Sequence, residues 1–599
     1  MKIIKNNLYI IKLCYKADPL WIIMQVLSTV LGYVLSTFVS IYFLKYIIEA
    51  IQGNRSYGEA LLFIFGMFFC SVVVNLMDSY TLDILEPKGL VKVTALLMEM
   101  LYGQAISVDL SCYENPEFYD TYTKANEQVT SYASTIIRTI TRVIGILVSL
   151  VVAVFSIAVC EPFVIIIVVL PVLAEQFLVK KYTEYKFNRD RDTAYDRRKV
   201  EYVNRTVYLS EFAKDIRLSN IFSPIMRSLE HAMEQMRKTS KEYGVKIAIV
   251  RFFRTIMAEL FVYLGVQILI VYQYLVHSAY SLGNLSMLLN AASEFSDLIG
   301  GFSWARNDIY ECGMFIENFR TFMDYKTKMP ENENGKIPNK ESVDICFKNV
   351  GFTYEGSKTP VLKNLNLTIP KGQKIAIVGH NGAGKSTFVK LLMRLYDTTE
   401  GSIEVGGINV KEYRLSAYRE IFGTIFQDFK VFAASVADNI LLHGNATESD
   451  RERVKKALQN SGIYKKVCEL KNGIDSQLTK EFDKEGALLS GGEFQKLAVA
   501  RVFAKDCEIC ILDEPSSALD PLSEYEIFEN MLKACEGKTI IFISHRLSST
   551  VMADKIYMLE KGEIVESGSH AELMKQNGKY AEMYHMQAKR YQEEQAYEA

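Results

Sequence analysis

The sequence predicts a multidomain membrane protein, in which an all-α domain with six membrane crossings is followed by a soluble α/β domain. Long apolar runs occupy the first half of the 599 residues and are missing from the second half. In the second half, the short apolar run 374–378 is followed by a glycine-rich loop and then by helical spacing over 388–393. This order of strand, loop and helix is typical of an α/β sheet domain.

The membrane domain is predicted from its apolar runs, because a helix needs roughly 20 apolar residues to cross a bilayer. We expect crossings at 20–48, 59–80, 143–159, 162–180 and 255–276, with a weaker sixth at 284–315. The first run is much longer than the apolar core of a signal peptide and lacks a small-residue cleavage site. We therefore interpret it as a retained helix.

The distribution of Lys and Arg predicts the orientation in the membrane. Residues 1–16 carry four lysines and the connection 180–250 is rich in Lys and Arg, whereas the alternate loops near 52–58, 160–162 and 277–283 contain only Arg55. The positive-inside rule then places the N-terminus, the long connections and the C-terminal half in the cytoplasm, with the chain in the cytoplasmic membrane.

Charge and cysteine usage exclude some classes of function. The net charge of -2 shows no basic excess, so nucleic acid is not an expected partner. The ten cysteines have no framework spacing, which favours reduced thiols. Cys507 and Cys510 lie in the apolar segment that leads to Asp513; strand alternation would point their side chains to opposite faces, and we expect core packing instead of metal or redox chemistry.

The domain boundaries follow from a polar stretch rich in Pro, Gly and Asn. This stretch, 326–342, has no periodicity and is predicted to be a linker. It separates a transmembrane domain at 1–325 from a nucleotide-binding domain at 343–585, and 586–599 is a C-terminal tail.

The glycine-rich loop matches the phosphate-loop pattern G-x-x-x-x-G-K-[ST]. Its residues are Gly379, His380, Asn381, Gly382, Ala383, Gly384, Lys385, Ser386 and Thr387. Backbone N–H groups of such a loop cradle phosphates, Lys385 reaches the β- and γ-phosphates, and Ser386 can bind Mg²⁺. The sequence therefore predicts a site for ATP and Mg²⁺.

A second apolar segment, 509–512, ends in Asp513 and Glu514 and is followed by 515–520, Pro-Ser-Ser-Ala-Leu-Asp. By itself, an acidic pair after a strand is more often a solvated strand end. Together with the phosphate loop, this region resembles the ATP-binding cassette (ABC) domain over 343–585. The resemblance implies that Asp513 holds Mg²⁺ and that catalytic Glu514 polarises the attacking water.

The segment 489–493, Leu-Ser-Gly-Gly-Glu, resembles the signature loop of the same family, with Ser490, Gly491, Gly492 and Glu493 as binding residues. A serine hydroxyl, glycine amides and a helix N-terminus form an anion receptor. In the family this loop covers the γ-phosphate of ATP bound to the other subunit. Since each loop occurs once, the resemblance implies a second half-transporter, with a homodimer favoured and a heterodimer possible.

Other positions match the family pattern one by one. Tyr354 resembles the aromatic residue that stacks on adenine, Gln427 the residue that touches Mg²⁺ and senses the membrane domain, and His545 the switch histidine at the γ-phosphate. Glu481 resembles, less closely, an acidic residue that contacts the membrane-domain connections. Gln427 and His545 are counted with Glu514 as catalytic.

Six crossings ahead of a single cassette resemble an exporter half-transporter. The tips of the long cytoplasmic connections, near 113–119 and 214–220, are expected to be coupling helices, although plain helix–helix turns are the alternative. The resemblance implies ATP-driven export of a small molecule, lipid or peptide by alternating access, with membrane lipid as a further partner. A lipid flippase, or the competent or regulatory half of a heterodimer, remains the alternative.

Four acidic residues lie inside the predicted crossings: Glu175, Glu259, Glu294 and Asp297. A charge facing lipid would cost roughly 2.5–3.5 kcal/mol, so we expect the four to face the bundle interior or a watery cavity. We expect them to favour a cationic or amphipathic substrate. The alternative is that they pair with Arg138, Arg142, Arg251 or Arg254 as structural ion pairs.

Overall fold

The computed structural model describes residues 2–587 except 54–55, 161–162, 257–263, 278–280, 445, 514–528, 534 and 544–549. At 116–117, 119–120, 127–128, 160, 163–176, 210 and 277 it describes the backbone alone. The chain forms two compact units. The first contains residues 1–107 and 116–325, and the second contains residues 108–115 and 326–599.

The first unit is helical. Its helices are α1 (Lys2–Ala17), α2 (Pro19–Ile51), α3 (Tyr57–Tyr80), α4 (Glu86–Ser107), α6 (Pro116–Cys160), α7 (Phe163–Tyr208), α8 (Ala213–Leu218), α9 (Phe222–Ile256), α10 (Gly265–His277) and α11 (Leu282–Met323). A π-helical turn at Thr81–Leu85 joins α3 to α4.

Local sequence accounts for several helix ends. Asp18 separates α1 from α2, and its carboxylate accepts from the N–H of Trp21 at 3.2 Å. Ser281 caps α11 by accepting from the N–H of Asn284 at 3.2 Å. Such caps satisfy N–H groups that have no partner inside the helix. Gly89 lets α4 approach α2, because a Cβ there would lie 2.5 Å from the Trp21 ring.

Three helices, α2, α6 and α11, pack on one another around buried Ile41, Ile146 and Phe295. Within the described part of the chain, three helical stretches are long and apolar enough to cross a membrane: Pro19–Ile51, Tyr57–Ser107 and Val129–Val159. A shorter apolar helix covers Gly265–Val276. The chain is therefore a membrane protein with the helical N-terminal region that the sequence predicts.

The second unit is an α/β domain. It has α5 (Leu110–Glu114), α12 (Lys385–Leu392), α13 (Leu415–Glu420), α14 (Val436–Leu441), α15 (Glu448–Asn460), α16 (Tyr464–Cys468), α17 (Gly491–Ala504) and α18 (His570–Gln576). Its strands are β1 (Ile345–Phe352), β2 (Leu362–Ile369), β3 (Lys374–Val378), β4 (Glu400–Val405), β5 (Ile408–Asn409), β6 (Phe422–Ile425), β7 (Ile509–Asp513), β8 (Thr539–Ile543), β9 (Lys555–Glu560) and β10 (Glu563–Gly568).

These strands form two sheets. An antiparallel sheet has the order β2-β1-β4-β5, and a six-stranded sheet has the order β10-β9-β3-β8-β7-β6. In the larger sheet β9, β3, β8, β7 and β6 are parallel, and β10 is antiparallel to β9. Strands β3, β7 and β8 are almost wholly buried, as expected for central parallel strands that are covered on both faces.

The segment 326–342 contains no helix or strand, yet it is anchored within the second unit. The Asp109 carboxylate accepts from the Thr327 hydroxyl at 2.6 Å and from the N–H of Lys328 at 2.7 Å. Glu331 accepts from the N–H of Ser416 at 3.1 Å. The polar composition of this segment therefore accompanies specific hydrogen bonds.

The expectation that Cys507 and Cys510 point to opposite faces is wrong. Their sulfurs lie 3.7 Å apart, and the Cys510 sulfur is 3.3 Å from that of Cys535. The alternation argument fails because β7 begins at Ile509, so Cys507 precedes the strand. All three thiols are free and lie in the apolar core.

Candidate nucleotide site

The phosphate loop connects β3 to α12, and its glycines have different surroundings. Gly379 has φ +152°, and a Cβ there would lie 2.1 Å from the Leu559 carbonyl oxygen. Gly382 has φ +80° with open space around it. The loop is thus pressed against β9 at its start and open at its middle, where His380, Asn381 and Gly382 are exposed.

Lys385 is the first residue of α12 and is only 6% exposed. Its ammonium donates to the Gly379 carbonyl at 2.9 Å and to the His380 carbonyl at 3.2 Å, so it lies inside the loop that it is predicted to serve. Ser386 is exposed beside it, and buried Thr387 lies within the first turn. Charge, N–H groups and a helix N-terminus thus converge in the way that favours an anion.

Register relates Asp513 to this loop. Ile377 of β3 and Asp513 of β7 both pair with Ile543 of β8. The backbones of Ile377 and Asp513 are therefore two strand spacings apart, about 9–10 Å. Asp513 is 6% exposed.

Gln427 follows the neighbouring strand at the same edge. Ile425 of β6 pairs with Leu512 of β7, and Gln427 comes two residues later. In parallel sheets, ligands bind beyond the carboxyl ends of the strands. The edge formed by β3, β7 and β6 is therefore the candidate site.

The oxygen atoms at this edge fit Mg²⁺. Ser386 offers a hydroxyl, Gln427 an amide carbonyl and Asp513 a carboxylate, and Mg²⁺ takes a few protein oxygens together with water and phosphate. Across the residues that the structure describes, no three His, Cys, Asp or Glu side chains form a metal cluster.

Ser490 begins α17 in a reciprocal capping arrangement. Its hydroxyl accepts from the N–H of Glu493 at 3.3 Å, and the Glu493 carboxylate accepts from the N–H of Ser490 at 2.7 Å. That backbone hydrogen bond lowers the pKa of Glu493. Glu493 therefore holds the helix start in shape, and exposed Gly491 stands next to the capping serine in the first turn.

Tyr354 lies beside the phosphate loop. Its hydroxyl oxygen is 3.1 Å from that of Thr387. The ring meets Phe352 and Tyr396 edge to face, with centroids 4.8 and 5.4 Å away. The residue predicted to stack on adenine is therefore braced by aromatic neighbours.

Sequence reasoning missed Lys390 and Glu114. The Lys390 ammonium is 5.8 Å from the centre of the Tyr354 ring and 5.6 Å from that of Tyr396. It also lies 3.5 Å from the Glu114 carboxylate at the end of α5. Burial, followed by this carboxylate, raises the pKa of Tyr396. The only sequence signal was that Glu114 falls within the expected coupling segment.

Some predicted site residues lie outside the part of the chain that the structure describes. Glu514 and His545 lie outside the described residues, as do Glu259 and the side chain of Glu175. Glu481 is exposed. The predicted coupling segment 113–119 contains only the end of α5 and runs into α6, whereas 214–220 lies largely within α8.

Glu294 of α11 accepts from the buried Thr37 hydroxyl of α2 at 2.9 Å. Asp297, one turn further along α11, is exposed. Two of the arginines that could have paired with these acids bind elsewhere: Arg138 lies 2.6 Å from Glu86, and Arg142 lies 3.9 Å from Asp308.

Comparisons with known proteins agree with this geometry. A family model for ABC transporters matches residues 362–517. The subtilin transport ATP-binding protein SpaT of Bacillus subtilis is 30% identical over 488 residues, which cover 79% of this chain and 76% of that protein. The chain belongs to the ABC transporter family.

Other relatives of this ABC transporter match a smaller part of it. An ATP-dependent lipid A-core flippase of Chromohalobacter salexigens is 38% identical over 259 residues, which span 43% of this chain and 44% of the flippase. A solved bacterial Atm1-family ABC exporter with ATP bound has a TM-score of 0.79 at 21% identity, and covers 95% of this chain and 98% of its own. The latter likeness shows that the ABC transporter has an exporter fold.

The predicted fold class and family are therefore confirmed. The chain is an ABC transporter with an exporter fold, and its cassette binds ATP and couples ATP hydrolysis to transport.

Proposed function

We propose that the protein is a half-transporter that exports an amphipathic, hydrophobic or peptide-like substrate across the cytoplasmic membrane as a dimer. Two cassettes close on two ATP molecules, the membrane cavity turns from inward-open to outward-open, and hydrolysis resets the cycle. The observation that carries this proposal is the sheet edge where the phosphate loop, Asp513 and Gln427 meet, together with a signature loop that occurs once.

The roles of the site residues follow from their chemistry. Backbone N–H groups of 379–387 and the Lys385 ammonium bind phosphate, and Tyr354 stacks on the adenine. Ser386, Gln427 and Asp513 hold Mg²⁺, which supplies charge neutralisation at the phosphates. Glu514 orients the attacking water and His545 contacts the γ-phosphate.

Ser490, Gly491 and Gly492 supply the second anion receptor, for ATP on the partner chain, and Glu493 shapes it. A crosslinking experiment tests this shared site. Cysteines at positions 386 and 490, in a Glu514→Gln background without the ten native cysteines, should crosslink between two chains when ATP is present. Crosslinks confined to single chains would contradict the dimer.

The orientation and partners are part of the proposal. The N-terminus and the cassette lie in the cytoplasm, in accord with the lysines of 1–16 and the basic connection 180–250. A homodimer is favoured because the chain keeps both Glu514 and an intact 489–493. A heterodimer in which this chain is the competent or regulatory half is the alternative, and purification from a strain carrying two tagged copies distinguishes them.

The substrate class has two supports from relatives. The longer match is to a subtilin transport protein, which supports a peptide, and the shorter matches to lipid A-core flippases support a lipid. Glu294 and Asp297, with Glu175 and Glu259, are proposed to line the cavity and to favour positively charged groups. A screen of ATPase stimulation in lipid nanodiscs with peptides, lipids and cationic drugs tests the class.

A further inference from the structure

The N-terminal helix α1 is held on α11 by polar contacts. Asn6 and Asn7, both almost fully buried, donate their side-chain amides to the carbonyls of Gly313 at 2.9 Å and of Ile309 at 2.8 Å. Arg320 donates to the Asn6 side-chain oxygen at 3.0 Å. These bonds fix which face of α1 is turned inward.

The positions of these contacts, together with one more, indicate that the two helices cross. Gly313 has no side chain where Ile3 approaches, since a Cβ there would lie 2.4 Å from an Ile3 carbon. Asn6 reaches both Gly313 and Arg320, whereas its neighbour Asn7 reaches back to Ile309. Seven residues beyond Lys2, which pairs with Glu317, the Tyr9 ring lies 5.3 Å from the Arg320 guanidinium. The contact point on α11 therefore moves steadily in neither direction along α1, as expected when one helix lies across the other.

The outward face of α1 carries two adjacent rows. Ile4, Leu8 and Tyr15 are 60%, 56% and 51% exposed. At about 100° per residue these three project within about 40° of one another, and Lys5, Lys12 and Lys16 form a second row about 80° away. An apolar stripe edged by lysines is the pattern of a helix at an anionic membrane surface.

Among the described residues, the lysine row has no acidic partner. Lys2 is engaged with Glu317 at 2.6 Å, whereas Lys5, Lys12 and Lys16 have no carboxylate within ion-pair distance in the part of the chain that the structure describes. Three unneutralised cations on one side of a short helix are complementary to lipid phosphates.

Two independent lengths put α1 at the level of the lipid headgroups. The 33 residues of α2 span about 50 Å, and α1 lies at one end of this helix. On α11 the α1 contact at Gly313 lies about 47 Å from Leu282. A bilayer with its headgroups is roughly 40–45 Å thick.

The outward rows of α1 also continue a lipid-facing surface. The first turns of α2 expose Leu20, Ile23 and Leu27 in an apolar helix long enough to cross the membrane. We therefore infer that the outward face of α1 contacts the headgroup region of the bilayer that α2 crosses.

We propose that α1 is a docking surface for anionic phospholipid of the inner leaflet, bound by Lys5, Lys12 and Lys16 with Ile4, Leu8 and Tyr15 inserted among the headgroups. Because α1 is fastened to α11, this contact anchors the cytoplasmic end of α11 at the membrane. The inference rests on the proposed orientation, which places the N-terminus in the cytoplasm.

The test uses the full-length protein in phosphatidylcholine vesicles, with spin-labelled phosphatidylglycerol or spin-labelled phosphatidylcholine as the probe. The fraction of motionally restricted probe gives the relative affinity of the protein for the two headgroups. We expect a preference for phosphatidylglycerol of about five-fold or more at low salt, on the scale of one lysine at an anionic surface, falling as salt rises.

The triple variant Lys5→Gln, Lys12→Gln, Lys16→Gln should bring the preference close to one. A matched triple of exposed cassette lysines, Lys363→Gln, Lys456→Gln and Lys575→Gln, changes the net charge equally and should leave it unchanged. Equal preference in the wild type and the α1 variant would overturn the proposal, and so would a loss caused equally by the cassette triple.

ATP hydrolysis is measured in the same vesicles. An α1 variant that hydrolyses ATP at the wild-type basal rate but has lost the headgroup preference supports the proposal. If the wild type lacks ATPase activity and keeps the preference, the nucleotide-site assignment fails and the lipid surface stands. If hydrolysis is normal and no preference exists, the lipid surface alone fails.

Discussion

We propose that the phosphate loop and the acidic residues of α11 both interact with charged ligands, but the two sites are built in different ways. The loop is proposed to bind phosphate through backbone N–H groups, whose positions are set within the nine consecutive residues 379–387, from the end of β3 into the first turn of α12. The Glu294 carboxylate is instead positioned by a hydrogen bond from Thr37, which lies on another helix and far away in sequence. A local backbone site can be identified from a short motif, whereas a site made of side chains from separate helices depends on packing.

The largest expected effect tests the chemistry of the local site. Glu514→Gln should keep ATP binding but lower hydrolysis by on the order of 10²–10⁴, the usual scale for a positioned general base. Steady-state ATPase assays with nucleotide titration measure both quantities. Glu508→Gln, just before the other end of β7, is the control and should be near wild type. Parental turnover in the Glu514 variant would remove Glu514 from the mechanism.

The second prediction compares two glycines of the same loop. Gly379→Ala would place a Cβ 2.1 Å from the Leu559 carbonyl oxygen, whereas Gly382→Ala meets open space and only the strain of φ +80°. Backbone strain costs on the order of 1–3 kcal/mol, and the Gly379 clash adds to it. We expect ATP affinity to fall at least about ten-fold more for Gly379→Ala than for Gly382→Ala in equilibrium nucleotide binding. Equal losses would show that the approach to β9 is unimportant.

Sequence alone predicted the fold class and the order of the cassette elements because each element has a local signal. The run 374–378 is apolar and β-branched, and Gly-Lys-Ser at 384–386 marks a helix start at a phosphate site. These signals survive in a single sequence because backbone geometry demands specific residue types at fixed spacing.

The failures came from contacts between distant segments. Lys390 and Glu114 are far apart in sequence, and nothing local to either residue indicates the other. The error at Cys507 arose from a strand boundary two residues away, which reverses the direction of a side chain. The roles assigned to individual site residues remain predictions that the variants described here test.

The third prediction concerns the packed site of α11. Glu259→Gln together with Glu294→Gln should lower the stimulation of ATPase by a cationic substrate about ten-fold, the scale of a lost charge-assisted hydrogen bond, and leave basal hydrolysis unchanged. Thr37→Val is the matched variant, since it removes the hydroxyl that donates to Glu294 and keeps the carboxylate charge. If Thr37→Val and the double variant lose stability alike while stimulation persists, the acids are structural.

The fourth prediction concerns a contact inside the cassette unit. Like the hydrogen bond between Thr37 and Glu294, it joins residues that are far apart in sequence. Glu114→Gln should weaken ATP binding by at most about five-fold, because its partner Lys390 is partly exposed and such pairs contribute roughly 0–1 kcal/mol. Lys390→Gln and the double variant complete a thermodynamic cycle with ATP affinity as the measured quantity. Strict additivity would show that the pair does not brace Tyr354, the residue beneath Lys390.

The smallest expected effect returns to a local site. The N–H of Ser490 lowers the pKa of Glu493, so the charged carboxylate binds this cap more tightly than the neutral acid. This stabilisation is present above the unfolded-state pKa of about 4.3 and is lost as pH falls through the lower folded-state value.

Glu493→Gln should therefore weaken protection of the first turn of α17 at pH 7 by about 0.5–1 kcal/mol, the lower range for a helix cap. The difference from wild type should shrink as the pH falls below 4, as measured by hydrogen exchange of the α17 amides. Glu572→Gln is the matched control, because Ser569 and Glu572 form the same reciprocal cap at α18. Glu572→Gln should lower the hydrogen-exchange protection of α18 and leave that of α17 unchanged. A Glu493→Gln difference that persists undiminished in acid would mean that the amide cannot replace the carboxylate for steric reasons, and that charge at this cap does not stabilise α17.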